Sequence, residues 1–268
     1  MLKTRIIPTL LLKGHTLVKD RQFAGQRPVG TLLPAVRVYN SRDVDELVIL
    51  DVAASRQGRG PDISAIERAA AEVRVPLSIG GGVTTVADFE SILQAGADKV
   101  VVNSAVFDDP TIVRAAADRF GSQCVIVSID VLRDATGRFM CVSHSGSSVR
   151  NVTLEEHVKI VEAQGAGELL VCSIEHDGEM SGYDLEALDS TVSVASVPII
   201  LSGGCGSYAH MHLALSEHGA SAVAAASIFH FTEQTPLGAR AYLADQGLHV
   251  RDSEIATQET ATQHLQKP

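Results

Sequence analysis

Short aliphatic and β-branched runs alternate along this chain with stretches that repeat at helical period. The runs at residues 5–12, 46–52, 75–79, 99–103, 124–130, 168–174, 197–202 and 222–226 predict eight strands. Amphipathic segments such as 63–73, 86–95, 111–120, 154–164 and 208–218 predict helices between them. Asp109 before Pro110 marks a helix start, with an N-cap followed by proline at the first helical position. Thr153 with Glu156 has the spacing of a capping box. The strands are near-continuous apolar runs, which implies a parallel sheet covered by helices.

The two halves of the chain resemble each other. Glu46-Leu47-Val48 recurs as Glu168-Leu169-Leu170, Val75-Pro76 as Val197-Pro198, and Gly81-Gly82 as Gly203-Gly204, each 122 positions later. Gly96-Ala97 recurs as Gly219-Ala220, 123 positions later. A near-constant offset over four landmarks says that one series of strand–helix units occurs twice. The fold expected is therefore an α/β protein, a (β/α)8 barrel with a pseudo-twofold half-barrel repeat. It would occupy residues 1–252, within the usual barrel size of about 250 residues. Residues 253–268 are polar and are expected to form a disordered tail.

Net charge is −10, which argues against general nucleic-acid binding but leaves room for a locally bound anion. Lys3 and Arg5 are followed by only a short apolar stretch, so no secretory signal is expected. No apolar run reaches the roughly 18 residues of a membrane span, and the expected location is the cytoplasm. Cys124, Cys141, Cys172 and Cys205 form no CxxC pair and read as buried thiols in a reducing compartment. The histidines show no metal-site spacing, and no metal or cofactor is expected. His144 and His176 fall near upper loops, where they could meet a substrate or be incidental.

In a barrel, chemistry sits at the C-terminal strand ends. Gly81 and Gly82 follow strand three, and Asn103 and Ser104 follow strand four. Gly203 and Gly204 follow strand seven, and Ala226 and Ser227 follow strand eight. Glycines let the backbone approach an anion, and free N–H groups at a helix start donate to it. A paired set suggests a ligand with two phosphates; tight turns alone would also account for the glycines. Asp130 ends strand five and is the leading general acid/base candidate. Asp51 and Asp177 are possible accessories, or loop caps. Strand one aligns with strand five, so Leu11 stands at the position equivalent to Asp130. Leucine moves no proton. Arg5, Glu46, Lys99 and Glu168 all begin strands, near the barrel floor, where charges usually form a solvated rim.

The segments Arg5-Ile6-Ile7, Leu50-Asp51, Gly80-Gly81-Gly82, Gly96-Ala97-Asp98-Lys99-Val100 and Phe120-Gly121-Ser122-Gln123 resemble the cyclase subunit of imidazole glycerol phosphate synthase. So do Ser128-Ile129-Asp130, Asp177-Gly178, Ser181-Gly182-Tyr183-Asp184, Ser202-Gly203-Gly204 and Ser227-Ile228-Phe229-His230, and the likeness runs over about residues 2–251. The resemblance implies a two-protein glutamine amidotransferase. A separate glutaminase docks on the barrel floor, and its ammonia crosses the barrel to a substrate with two phosphates. It implies that Arg5, Glu46, Lys99 and Glu168 form the ammonia gate, that Asp98 and Gln123 face the glutaminase, and that Lys19 contacts substrate.

The departures from that pattern are as informative. One of the two catalytic aspartates implied by the resemblance is Leu11 here, and the first loop opens Lys13-Gly14-His15 where lysine-aspartate-glycine is expected. The chain is similar in this to paralogues associated with acetamidino-sugar formation in bacterial surface glycans, which implies a sugar amidotransferase as a further partner. Ordinary cyclase activity in histidine biosynthesis and a non-catalytic ammonia conduit are the alternatives. The sister isomerase that shares the repeat also needs a carboxylate on strand one, and it has no use for a floor gate.

Overall fold

The computed structural model describes residues 3–252; the polar stretch 253–268 lies outside the described residues. The first half contains β1 (Arg5–Lys13), β2 (Thr16–Arg21), β3 (Ala24–Thr31), α1 (Leu32–Ser41), β4 (Leu47–Asp51), α2 (Ile63–Ala70), β5 (Leu77–Gly80), α3 (Val86–Gln94), β6 (Lys99–Val102) and the short α4 (Ser104–Asp108). After α5 (Thr111–Phe120) the second half repeats the order: β7 (Val125–Arg133), β8 (Phe139–Ser143), β9 (Ser148–Thr153), α6 (Leu154–Ala163), β10 (Glu168–Ser173), α7 (Leu185–Val192), β11 (Ile199–Ser202), α8 (Tyr208–Ser216), β12 (Ala222–Ala225), the short α9 (Ser227–Phe231) and α10 (Pro236–Asp245).

The eight expected strands are β1, β4, β5, β6, β7, β10, β11 and β12. Each pairs in parallel with the next, and β12 pairs with β1, so the sheet closes. This is the predicted (β/α)8 barrel. The repeat also survives in detail. β1 runs on into the antiparallel strands β2 and β3, and β7 runs on into β8 and β9. Each half thus starts with one barrel strand prolonged above the mouth as a meander. Neither meander was expected: β3 is mostly exposed and carries Gly25, Pro28 and Gly30, a loop-like composition, and β9 is a partly exposed strand of mixed polarity.

Helix starts follow local chemistry. Thr153 and Glu156 make the expected capping box, and Thr85 with Asp88 makes another. The helix after Asp109 begins one residue later than expected: Pro110 is its N-cap, and Asp109 instead accepts from the Thr111 N–H at 2.9 Å.

Two cores result. The large one joins the outward strand faces to the helices, around residues such as Phe89, Ile92, Val113 and Leu169. The small one fills the barrel and is drawn from seven strands: Ile7, Val48, Val101, Ile126, Leu170, Ile200, Ala222 and Ala224, with Leu50 packed against it. Burial is the main stabilising term in both. Near the floor, buried Arg240 on α10 and half-buried Arg251 bind Asp43 and Asp45, tying the last helix to the start of β4. Among the described residues no helix is long and apolar enough to cross a membrane. All four cysteines are free thiols; Cys141, Cys172 and Cys205 are buried, while Cys124 is half-buried rather than fully enclosed.

Candidate active site at the barrel mouth

A cavity of about 1080 Å³, open mouth included, lies at the C-terminal strand ends. Leu11, Lys19, Asp51, Gly81, Asn103, Ser104, Asp130, Asp177, Gly203, Gly204, Ala226 and Ser227 all line it. Gly82 does not. It packs under the Arg59 carbonyl at φ +72°, in a place that leaves no room for a Cβ. Its role is the turn.

The two halves of the mouth match in conformation as well as sequence. Asn103 before α4 has φ −130° and ψ −81°; Ala226 before α9 has φ −131° and ψ −65°. This shared backbone bend starts each short helix on opposite sides of the cavity. Gly81 has φ +111°, and a Cβ there would lie 2.7 Å from the Asp51 Cβ and closer still to the Asp51 carbonyl oxygen. Gly81→Ala is expected to cost about 3 kcal/mol through strain and overlap. Gly60→Ala, whose Cβ would meet nothing nearer than 4.0 Å, should leave thermal unfolding nearly unchanged.

The pairing register fixes the equivalence of Leu11 and Asp130. Leu11 pairs with Leu50 of β4 and Val18 of β2. Asp130 pairs with Cys172 of β10 and Val142 of β8. The twofold therefore offers two equivalent positions, one holding the Asp130 carboxylate and the other a leucine side chain.

Asp130 accepts a hydrogen bond from Asn103 Nδ2 at 3.0 Å. Burial, then the nearby charge of Asp177, pushes its carboxyl up to about 7, with Asn103 pulling the other way. A group poised there can both give and take a proton near neutrality. The same shift has a stability consequence. The ordinary value is 3.8, so folding is penalised as pH rises from about 4 to about 7, and the penalty is complete above that. Asp130→Asn is expected to stabilise the protein by up to about 4 kcal/mol at pH 8 and not at pH 4. Thermal unfolding at both pH values checks this.

Asp177 and Lys19 are both buried and paired, with Lys19 Nζ 3.2 and 3.3 Å from the two carboxylate oxygens. The Gln22 N–H also donates to the Asp177 carbonyl at 2.8 Å. The β2–β3 hairpin is thereby docked on the loop after β10. Asp51 is committed elsewhere. Its Oδ1 accepts from the N–H groups of Ala53 and Ala54 at 3.0 and 3.2 Å, and its Oδ2 from Arg59 at 2.6 Å. It anchors a loop while also lining the cavity. His144 and His176 do not line the cavity; their ring nitrogens face Ser143 Oγ at 3.0 Å and the Gly182 carbonyl at 2.9 Å.

Thr9, Asp20, Phe23, Ser128 and Ser202 also line the mouth and were missed from sequence. Strand alternation could have found two of them, since Thr9 and Ser128 lie two residues before Leu11 and Asp130 and share their face.

At the opposite end, Arg5, Glu46, Lys99 and Glu168 close a ring of alternating charge. Arg5 Nη1 is 2.7 Å from Glu46, and Lys99 Nζ is 3.2 Å from Glu46 and 3.0 Å from Glu168. Arg5 also pairs with Glu168. Ser78 Oγ donates to Glu46 at 2.7 Å. Glu46 and Glu168 are buried, so this is no solvated rim. Asp98 and Gln123 are exposed just before the starts of β6 and β7, on the same floor. Between ring and mouth lies the small apolar core.

The family described as histidine biosynthesis protein matches residues 5–235. The chain belongs to this family. The match covers the barrel from β1 through α9 and stops just before α10. It places the chain among barrel enzymes of the histidine-biosynthesis type, in keeping with the twofold strand order and the cavity at the strand ends.

Proposed function

We propose that the chain is the ammonia-accepting subunit of a two-protein glutamine amidotransferase. In this reading a glutaminase docks on the floor around Asp98 and Gln123. Ammonia passes the ring and the small apolar core and meets a phosphorylated acceptor in the mouth. The carrying observation is the closed ionic ring over an apolar interior. Bare ions entering such an interior lose their hydration at high cost, whereas neutral ammonia loses far less. Leu11 in place of a carboxylate, with Asp130 retained, directs the ammonia away from ordinary ring closure. The acceptor class that fits this change is a sugar of a bacterial surface glycan that becomes amidinated, with a sugar amidotransferase as a further partner.

The second reading is the cyclase of histidine biosynthesis. Asp130, held near pH 7, and the matched turns at Asn103 and Ala226 favour it. Steady-state turnover of the bisphosphate ribotide with an ammonium salt separates the two. Turnover typical of a biosynthetic cyclase would overturn the amidination reading. Co-purification with a co-expressed glutaminase, lost when Asp98 and Gln123 are both changed to lysine, tests the floor.

A further inference from the structure

The mouth holds a carboxylate that the roles above leave unused. Asp20 lies on β2, two residues beyond Val18, the pairing partner of Leu11. It is 6% exposed and lines the cavity. Gln26 donates a hydrogen bond to the carboxyl, yet Oδ1 has no partner among the described residues. The neighbouring amine of Lys19 is spent on Asp177. Two more buried oxygens lining the same cavity are unpartnered among the described residues: Thr9 Oγ1 and Asn103 Oδ1.

Buried acceptors in folded proteins are nearly always satisfied, and a group that is not calls for an explanation. Burial pushes the Asp20 carboxyl up; Lys19 pulls it back, and Asp177 adds to the rise. This is the pattern of a carboxylate short of donors. A fully ionised phosphate ester has no hydrogen to supply, and two like charges would repel. A hydroxyl or an N–H group can.

We propose that Asp20 is a specificity-determining residue of the mouth, its free oxygen receiving a hydrogen bond from a hydroxyl or N–H group of a phosphorylated, polyhydroxylated acceptor. The proposal rests on the reading of the mouth as a phosphorylated-acceptor site. Asp20 then places on the hairpin the carboxylate that β1 lacks at Leu11. Thr9 and Asn103 offer further acceptors to the same hydroxylated part of the ligand. The charge of Asp20 keeps phosphate groups away from it, towards the turns at Gly81 and Gly203. One residue thus selects for donors in the middle of the ligand and sets which way it lies.

The test is calorimetric titration of the full chain with two probes, inorganic phosphate and ribose 5-phosphate. Wild-type protein should bind the sugar phosphate at least 10-fold more tightly than phosphate. Asp20→Asn keeps the shape and removes the charge. It should weaken the sugar phosphate by roughly 10-fold or more, the loss of one charge-assisted hydrogen bond, while phosphate binds as before or more tightly. Asp20→Ser, which shortens the side chain, should give the same split. If the variants leave the sugar phosphate unchanged, or weaken both probes equally, Asp20 has no selective role and the proposal fails alone. If neither probe binds the wild-type chain, the phosphorylated-acceptor reading fails and takes the proposal with it.

Discussion

Leu11→Asp is expected to raise turnover of the bisphosphate ribotide with an ammonium salt by roughly 10²–10⁴-fold, the usual worth of a positioned acid or base. The register argues for this site above any other. Leu11 faces the same cavity as Asp130 and occupies the equivalent pairing position between Leu50 and Val18. A carboxyl placed there would stand beside the apolar Leu50, where burial raises its proton affinity. It would join Asp130, already held near pH 7, to give two proton-transfer groups on opposite sides of one ligand. The gain should fall on kcat with KM little changed, because the new group acts on the reacting atoms rather than on the phosphates. A loss of thermal stability should accompany it, since a half-buried leucine is exchanged for a charge. A rise of less than threefold would show that a feature other than the missing acid limits ring closure.

The barrel was legible because its signals are redundant. Each of the eight strands is a continuous apolar run, and the offset of 122 positions links Glu46 to Glu168 and Gly81 to Gly203. The two meanders were not legible. β2, β3 and β9 mix polar with apolar residues, and Gly25, Pro28 and Gly30 read as a loop. Among the candidate acids, sequence put Asp130 first and left Asp51 and Asp177 as accessories or loop caps. Asp51 and Asp130 both end strands and both line the mouth; only the fold shows Asp51 also bound to Ala53, Ala54 and Arg59. Asp20 was hidden for another reason. Beside Lys19 in a polar strand it looks like half of a surface pair, whereas Lys19 turns to Asp177, which lies 158 positions away in sequence. The floor charges show the same limit in reverse. Alone, four charged strand starts suggest a wet rim, and it is closure of the barrel that brings β1, β4, β6 and β10 to one ring.

That ring carries the second large expected effect. Glu46→Ala should destabilise the protein by about 3 kcal/mol, because removing one partner of a buried ionic network leaves its counter-charges unpaired. For a barrel of this size the melting temperature should fall by roughly 6–12 °C. Glu46 is 1% exposed and accepts from Arg5, Lys99 and Ser78 together. Without it, Arg5 and Lys99 both rest on Glu168, and the floor gains a net positive charge inside the protein. Glu72→Ala is the matched control. It breaks an Arg37–Glu72 pair of similar geometry, 2.6 Å apart but exposed, and exposed pairs contribute little. Salt separates the two cases further. Raising ionic strength should erase what little the surface pair contributes and leave the Glu46 effect largely intact, since screening acts poorly on enclosed charges. Equal shifts for the two variants, or a Glu46 effect that fades in salt, would mean that water reaches the ring freely. A wet floor could not exclude ions from the apolar interior, and the route assigned to ammonia would lose its physical basis.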